Sequence, residues 1–82
     1  MIKLDGKLTK HEITSVRQAL IKQIESTSTL EIDLMQVSDA DSAAIALLVE
    51  LKQIAKSSNC NLSYNCNNPV IQRLSQLYRV NL

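Results

Sequence analysis

Few side chains in this sequence are equipped for chemistry, and their spacing narrows what chemistry that is. There is one histidine, His11, and there are two cysteines, Cys60 and Cys66, at the ends of "CNLSYNC". If that segment is a strand, at about 3.3 Å per residue the two thiols lie roughly 20 Å apart, far beyond the ~7 Å limit on Cα separation in a disulfide. The spacing is not a usual zinc spacing either, and a single histidine does not complete such a site. Two unbridged thiols and no metal are expected. Asp33, Asp39 and Asp41 could in principle collect a divalent cation, but loop solvation and helix capping account for them more simply. No nucleophile, base and orienting group can be assembled, so an enzyme is not expected, and a single glycine excludes the usual glycine-rich phosphate loop. Ser42 remains. It opens an apolar helix, where free backbone N–H groups and the helix dipole favour negative charge, so it reads both as a capping residue beside Asp41 and as a candidate phosphorylation site.

The elements that must position these residues follow from hydrophobic periodicity. "IKLDGKL" alternates Ile2, Leu4, Gly6 and Leu8 with Lys3, Asp5 and Lys7, the period of a half-buried strand. Thr9 and Glu12 then form a capping box, with Leu8 and Ile13 as its hydrophobic staple, so a helix is expected from Lys10. Its apolar stripe is Ile13, Val16, Leu20 and Ile24, and it runs to about Ser26. "LEIDLMQV" is a second strand, with Leu30, Ile32 and Leu34 on one face and Glu31, Asp33 and Met35 on the other. A helix from about Ser42 to Lys56 follows, closed by "SSN", where Asn59 tolerates a left-handed conformation. "NLSYNC" is a short third strand. Asn68 and Pro69 read as N-cap and first residue of a last helix whose buried stripe is Val70, Leu74, Leu77 and Tyr78. Strands separated by helices argue for a largely parallel sheet with crossover connections.

The 82 residues carry nine basic and eight acidic side chains, a formal net charge of +1 with both signs scattered, so there is no electrostatic footprint for nucleic acid. No apolar run approaches the roughly 20 residues of a membrane span, and "MIKLDGKLTK" has no signal-peptide core. One domain over residues 1–82, in the cytoplasm, is expected.

The helix beginning "SAAIALLVELKQIA" is apolar on too many sides. At about 100° per residue, Ala44, Leu47, Leu48, Leu51, Ile54 and Ala55 span a broad core face. Ser42, Ile45, Ala46, Val49 and Gln53 fall on the far side. Ile45 and Val49, flanked by alanine, are therefore expected to form an exposed apolar patch of the kind that marks an interaction site.

The run "LEIDLMQVSDADSAAIALLVELKQIAKSSNCNLSYNC" resembles the core of a STAS domain, the fold of anti-sigma-factor antagonists and of the cytoplasmic tails of sulfate transporters. In that family a strand of the form "hhDLSxVxxhDSSG" feeds a long apolar helix, and "IDLMQVSDADSAAI" occupies its place. The further match of "VIQRLSQLYRV" to "hxxLxxLYxh" is similar to the MlaB branch, small STAS subunits of phospholipid-transporting ABC complexes. The resemblance spans residues 2–80. It implies an α/β fold with a small, mostly parallel or mixed sheet and about three to four helices, and a usual first strand before "IKLDGKL" that this chain lacks or begins within.

By the same resemblance the partner is an ABC transporter ATPase subunit of the MlaF type, in a complex with a permease (MlaE-like) and a lipid-binding MCE subunit (MlaD-like), peripheral to the inner membrane and maintaining outer-membrane lipid asymmetry. Asp41, Ser42, Ala43, Ile45, Ala46 and Val49 would face the ATPase, and no cofactor is implied. An antagonist controlled by a kinase-driven partner switch is the alternative; the antagonists usually carry their phosphorylated residue at the second hydroxyl of "DSSG", here Ala43, with Ala44 at the glycine, which argues against it. An acyl carrier protein is a remote one, since "ADSAAIALLVELKQI" also resembles the serine that receives phosphopantetheine at a helix start. Carriers are all-helical and strongly acidic, which this chain is not.

Overall fold

The computed structural model describes residues 1–82. The chain alternates β1 (Ile2–Leu8), α1 (Lys10–Ser26), β2 (Thr29–Ala40), α2 (Ser42–Ser57), β3 (Asn61–Asn65) and α3 (Pro69–Leu77). The strands form one sheet in the order β1-β2-β3, and both pairings are parallel. This is the expected α/β fold with three helices, and its sheet is wholly parallel rather than mixed.

Strand order dictates which face is covered. Both crossovers step across the sheet in the same direction, so right-handed connections put α1 and α2 on the same face. That face carries Leu30, Ile32 and Leu34 of β2 and Leu62 of β3, all buried together with Leu20, Ile24, Leu48 and Leu51 of the two helices. Burial of the largest of these side chains contributes about 1.5–3 kcal/mol each. On the opposite face Lys3, Asp5, Lys7, Glu31, Met35, Asn61 and Ser63 are exposed. Parallel sheets usually bury both faces. Here the uncovered one is tolerated because its exposed side chains are mostly polar, Met35 being the exception.

β2 is longer than the expected "LEIDLMQV", and it is not regular. Lys3 pairs with Asp33 but Asp5 with Gln36, so Leu34 and Met35 include one residue more than β1 can match. Such a bulge strands backbone polar groups. Two side chains satisfy them. The Asp33 carboxylate accepts the Met35 N–H at 2.9 Å, and the Asn68 carboxamide donates to the carbonyls of Leu34 at 2.7 Å and Val37 at 2.8 Å. The carbonyl of Asn68's side chain meanwhile accepts the Val70 N–H at 2.9 Å, capping α3 as expected. Asn68 is only 3% exposed, and its bonds to the Leu34 and Val37 carbonyls are made out of reach of water.

Helix ends follow the sequence closely. The Thr9–Glu12 capping box forms, the Glu12 carboxylate accepting the Thr9 N–H at 2.9 Å and its hydroxyl at 2.6 Å. These bonds, the hydroxyl's first, hold the Glu12 carboxyl below its usual range. Asn59 takes a left-handed φ of 56°, and the Cys60 N–H returns to the Ala55 carbonyl at 2.8 Å, a Schellman ending for α2. Arg79 does the same for α3 at φ 55°, with the Val80 N–H on the Ser75 carbonyl at 2.8 Å.

The expected buried stripe of α3 is corrected. Ile71 is its one fully buried residue, while Leu77 is 68% and Tyr78 48% exposed. Asn68 anchors the start of α3 to β2, so burial is concentrated in the first turn and declines toward a free last turn. Asn68→Ala should cost about 3 kcal/mol, because two buried carbonyls and a helix N-terminus lose their partner together. Asn68→Asp should cost at least as much despite keeping the cap, since a carboxylate then faces two carbonyl oxygens; urea unfolding of the two variants measures both.

Candidate functional site

The loop between β2 and α2 is where the candidate residues gather, and Asp41 organises it. Its backbone is extended (φ -130°), as an N-cap requires, and one carboxylate oxygen accepts the Ala43 N–H at 3.0 Å. The other accepts the N–H of Lys10, the first residue of α1, at 3.0 Å. One carboxylate therefore satisfies the starts of two helices. Those N–H groups, Lys10's first, hold the Asp41 carboxyl below the usual aspartate range. Asp41 is thus the cap of α2, and Ser42, the first helical residue, projects an exposed side chain.

Ile45 does not belong to the exposed patch. It is 3% exposed, as buried as the core leucines, although it lies outside the main core cluster. A helical wheel of α2 supplies one buried direction, toward the sheet. The sheet is not the only neighbour of α2, since α1 and α3 also pack against it. The exposed ridge is therefore Ser42, Ala46 and Gln53 with half-buried Val49 between them.

On the other flank of that ridge the structure adds residues that periodicity alone did not single out. Ala43 and Ala46 line a shallow furrow of about 300 Å³ between α1 and α2, with Ile13, Arg17, Leu47 and Glu50. Arg17 and Glu50 close it with a two-point ion pair, Nε to Oε1 at 2.7 Å and Nη2 to Oε2 at 3.0 Å. Hydrogen bonding to Arg17, more than its charge, keeps Glu50 ionised to lower pH. The sequence signal was present: Ala43 and Ala46 are small where neighbouring Leu47 is large, so the helix surface must be concave there.

The family model described as "Mlab, STAS domain" matches residues 1–81. The chain belongs to the STAS family. Among solved structures, the chain is similar to one described as "Crystal Structure Analysis of Mglu", with a TM-score of 0.72 at 16% identity over 83% of this chain. The likeness establishes the fold, and this chain spans 17% of that one's length. No curated protein matches.

In this STAS domain the family segment "IDLMQVSDADSAAI" spreads its three aspartates rather than gathering them. Asp33 serves the bulge, Asp39 lines a second depression of about 300 Å³ beside Pro69, Val70 and Arg73 of α3, and Asp41 caps α2. They do not share a site, and no group of His, Cys, Asp and Glu is arranged to hold a metal ion. Cys60 is buried and Cys66 half-buried, both free, and burial raises the Cys66 thiol above its usual range. Tyr64 serves packing: its hydroxyl donates to the Leu48 carbonyl at 2.7 Å and Lys52 lies 5.2 Å over its ring. Burial raises its phenol well above the ordinary value. STAS domains are in general binding and regulatory modules, and no helix here is long and apolar enough to cross a membrane.

Because Asp41 titrates lower in the folded chain than in the unfolded one, its contribution is fully present above the ordinary aspartate value near 3.8 and is lost as pH falls through the folded value. Asp41→Asn keeps one acceptor of the two, so its Tm should lie below wild type at neutral pH. The gap should narrow on acidification below about pH 4, where the wild-type carboxylate is also lost. Thermal melts of both proteins from neutral to acid pH test this.

Proposed function

We propose that this STAS domain is a non-catalytic cytoplasmic subunit that binds and supports the ATPase of a phospholipid-transporting ABC complex, the role of MlaB-type subunits. The observation that carries the reading is the match of residues 1–81 to the family model described by that name. The surface around the start of α2 suits it. Ser42 and Ala46 are exposed, Val49 half-exposed, and Ala43 lines the adjoining furrow, a smooth region with little side-chain entropy to lose on docking. An MlaF-like ATPase would seat there, with an MlaE-like permease and an MlaD-like lipid-binding subunit completing the complex at the inner membrane. Outer-membrane lipid asymmetry is the process served, and the lipid need not touch this chain. Its effect is to add contact area to one conformation or assembly state of the ATPase, a shift bounded by its differential affinity for the alternatives.

The antagonist-type reading draws on one observation, the exposed side chain of Ser42 at the start of α2. Phosphorylation there would set a dianion beside the docking face and release the partner. Against it stand Ala43 and Ala44 at the positions where the antagonists usually have a hydroxyl and a glycine.

The discriminating experiment is a pull-down with the tagged chain from detergent-solubilised membranes, with bound proteins identified by mass spectrometry. Wild type is expected to recover an ABC ATPase. Ala46→Glu should lose it while keeping the wild-type Tm, since an unpaired charge in a desolvated contact costs several kcal/mol. Val49→Glu should lose it too, with a modest drop in Tm, whereas Ile45→Glu should fail to fold. Capture of a serine kinase in place of the ATPase would move the assignment to the antagonist reading, and ATPase capture unaffected by Ala46→Glu would remove α2 from the interface.

A further inference from the structure

The near neutrality of the whole chain conceals a division of charge. All eight acidic side chains lie in residues 1–50, with five of the nine basic ones, while residues 51–82 hold Lys52, Lys56, Arg73 and Arg79 and no acid. The first part is net acidic and the second wholly basic, an asymmetry that orients a molecule toward an anionic surface. Lys52 is engaged within the fold, donating to the Leu62 carbonyl at 3.2 Å. Arg73 and Arg79 are exposed and neither takes part in an ion pair, since the one such pair joins Arg17 to Glu50. Asp39 borders the same depression as Arg73 without pairing with it.

These two arginines flank an apolar strip on α3. At about 100° per residue, Val70, Leu74 and Leu77 fall within about 60° of one another, with Arg73 at their margin. Val70 and Leu74 are half-buried, whereas Leu77 is 68% exposed, with Tyr78 at 48% beside it. The backbone explains why this end stays outside. Arg79 is left-handed at φ 55°, the Val80 N–H returns to the Ser75 carbonyl, and the chain then runs inward until Leu82 packs against the core. Leu77, Tyr78 and Arg79 are left facing out. A left-handed position at a helix end ordinarily goes to glycine or asparagine, so the backbone is disadvantaged by the side chain that Arg79 places there. We propose that this end of α3 docks on an anionic phospholipid surface, Leu77 entering the boundary between headgroups and acyl chains, Tyr78 lying at headgroup level, and Arg73 and Arg79 meeting lipid phosphates.

The shape of the site selects a bilayer. None of the three depressions of the surface is lined by Leu77 or Tyr78, so these side chains project rather than enclose. A projection gives a protein side chain nothing to seat in, whereas a fluid interface closes around it. An aliphatic tip, a phenol and flanking guanidinium groups are the residue types that interfacial segments place at that depth. A two-fold contact between copies through the same strip would instead crowd Arg73 and Arg79 of both together. With two cations and one fully projecting leucine the contact is weak, reversible and salt-dependent. It uses none of the α2 surface, so it stands or falls independently of the transporter reading.

Vesicle flotation tests the proposal. At low ionic strength the chain is expected to float with vesicles of phosphatidylcholine mixed with phosphatidylglycerol, and to stay behind with phosphatidylcholine alone or when salt is raised. Leu77→Ser and Arg73→Glu should each weaken binding about tenfold or more while keeping the wild-type Tm. Arg79→Gly should raise Tm, by removing a side chain from a left-handed position, and at the same time lower vesicle binding; a purely structural role for Arg79 would not give these opposite changes. The chain has no tryptophan, so Leu77→Trp supplies a single reporter whose emission should move to shorter wavelength on the anionic vesicles. Gln53→Trp, on the exposed ridge of α2, should not move. No flotation with anionic vesicles at low salt, binding indifferent to Arg73→Glu, a shift of the Gln53→Trp reporter in place of Leu77→Trp, or a solution dimer that Leu77→Ser dissolves would each overturn the proposal.

Discussion

The carboxamide of Asn68 sits where three demands meet. β2 carries an extra residue against β1, which leaves carbonyl oxygens in the interior without a ladder partner, and α3 begins with N–H groups that its own helix does not satisfy. A primary amide is the one neutral side-chain group that donates twice and accepts at the same time. Its two N–H bonds turn toward Leu34 and Val37 and its oxygen toward Val70, so the irregularity of β2 and the start of α3 are resolved by a single residue. Remove that solution and the bulge, the bend it gives the central strand and the placement of the last helix all lose their support together. Asp33 completes the arrangement from within β2 by accepting the Met35 N–H.

That bulge also determines where the candidate interface begins. At Ile32 and Asp33 the central strand is paired on both sides, but from Gln36 to Ala40 only β1 accompanies it. The strand thus runs past β3 and delivers Asp41 to the tops of both α1 and α2. There its carboxylate can reach Lys10 as well as Ala43, which aligns the two helices and opens the furrow that Ala43 and Ala46 share with Ile13. The proposed docking surface in this family segment therefore takes its shape from hydrogen bonds one layer beneath it.

Much of this was legible in the residues alone. Period-two alternation marked β1 and the first half of β2, Thr9 with Glu12 and Asn68 with Pro69 marked helix starts, and Asn59 marked a left-handed ending; each is a local signal, settled by chemistry within a few residues. What was misread depends on contacts between elements distant in sequence. Ile45 falls on the far side of α2 in a helical wheel drawn against the sheet alone, yet it is 3% exposed. Leu77 and Tyr78 follow the helical spacing of Val70 and Leu74, but Ile71 is the one residue of α3 that is fully buried. The α1–α2 furrow was not misread but only half marked: Ala43 and Ala46 signal one wall, while its closure by Arg17 and Glu50, more than thirty residues apart in sequence, is a contact between elements.

The sheet's single covered face has a thermal consequence. Only 18 of 82 residues are buried, since one side of every strand remains in water in the folded state. Heat-capacity change on unfolding follows newly exposed apolar surface, so a sheet whose polar face is already hydrated contributes less of it per residue than one sandwiched between helices. Free energy of unfolding then varies gently with temperature. Such a chain gains little from cooling and loses stability gradually on warming, and anything that covers additional apolar surface, on α2 or at the end of α3, sharpens that curve.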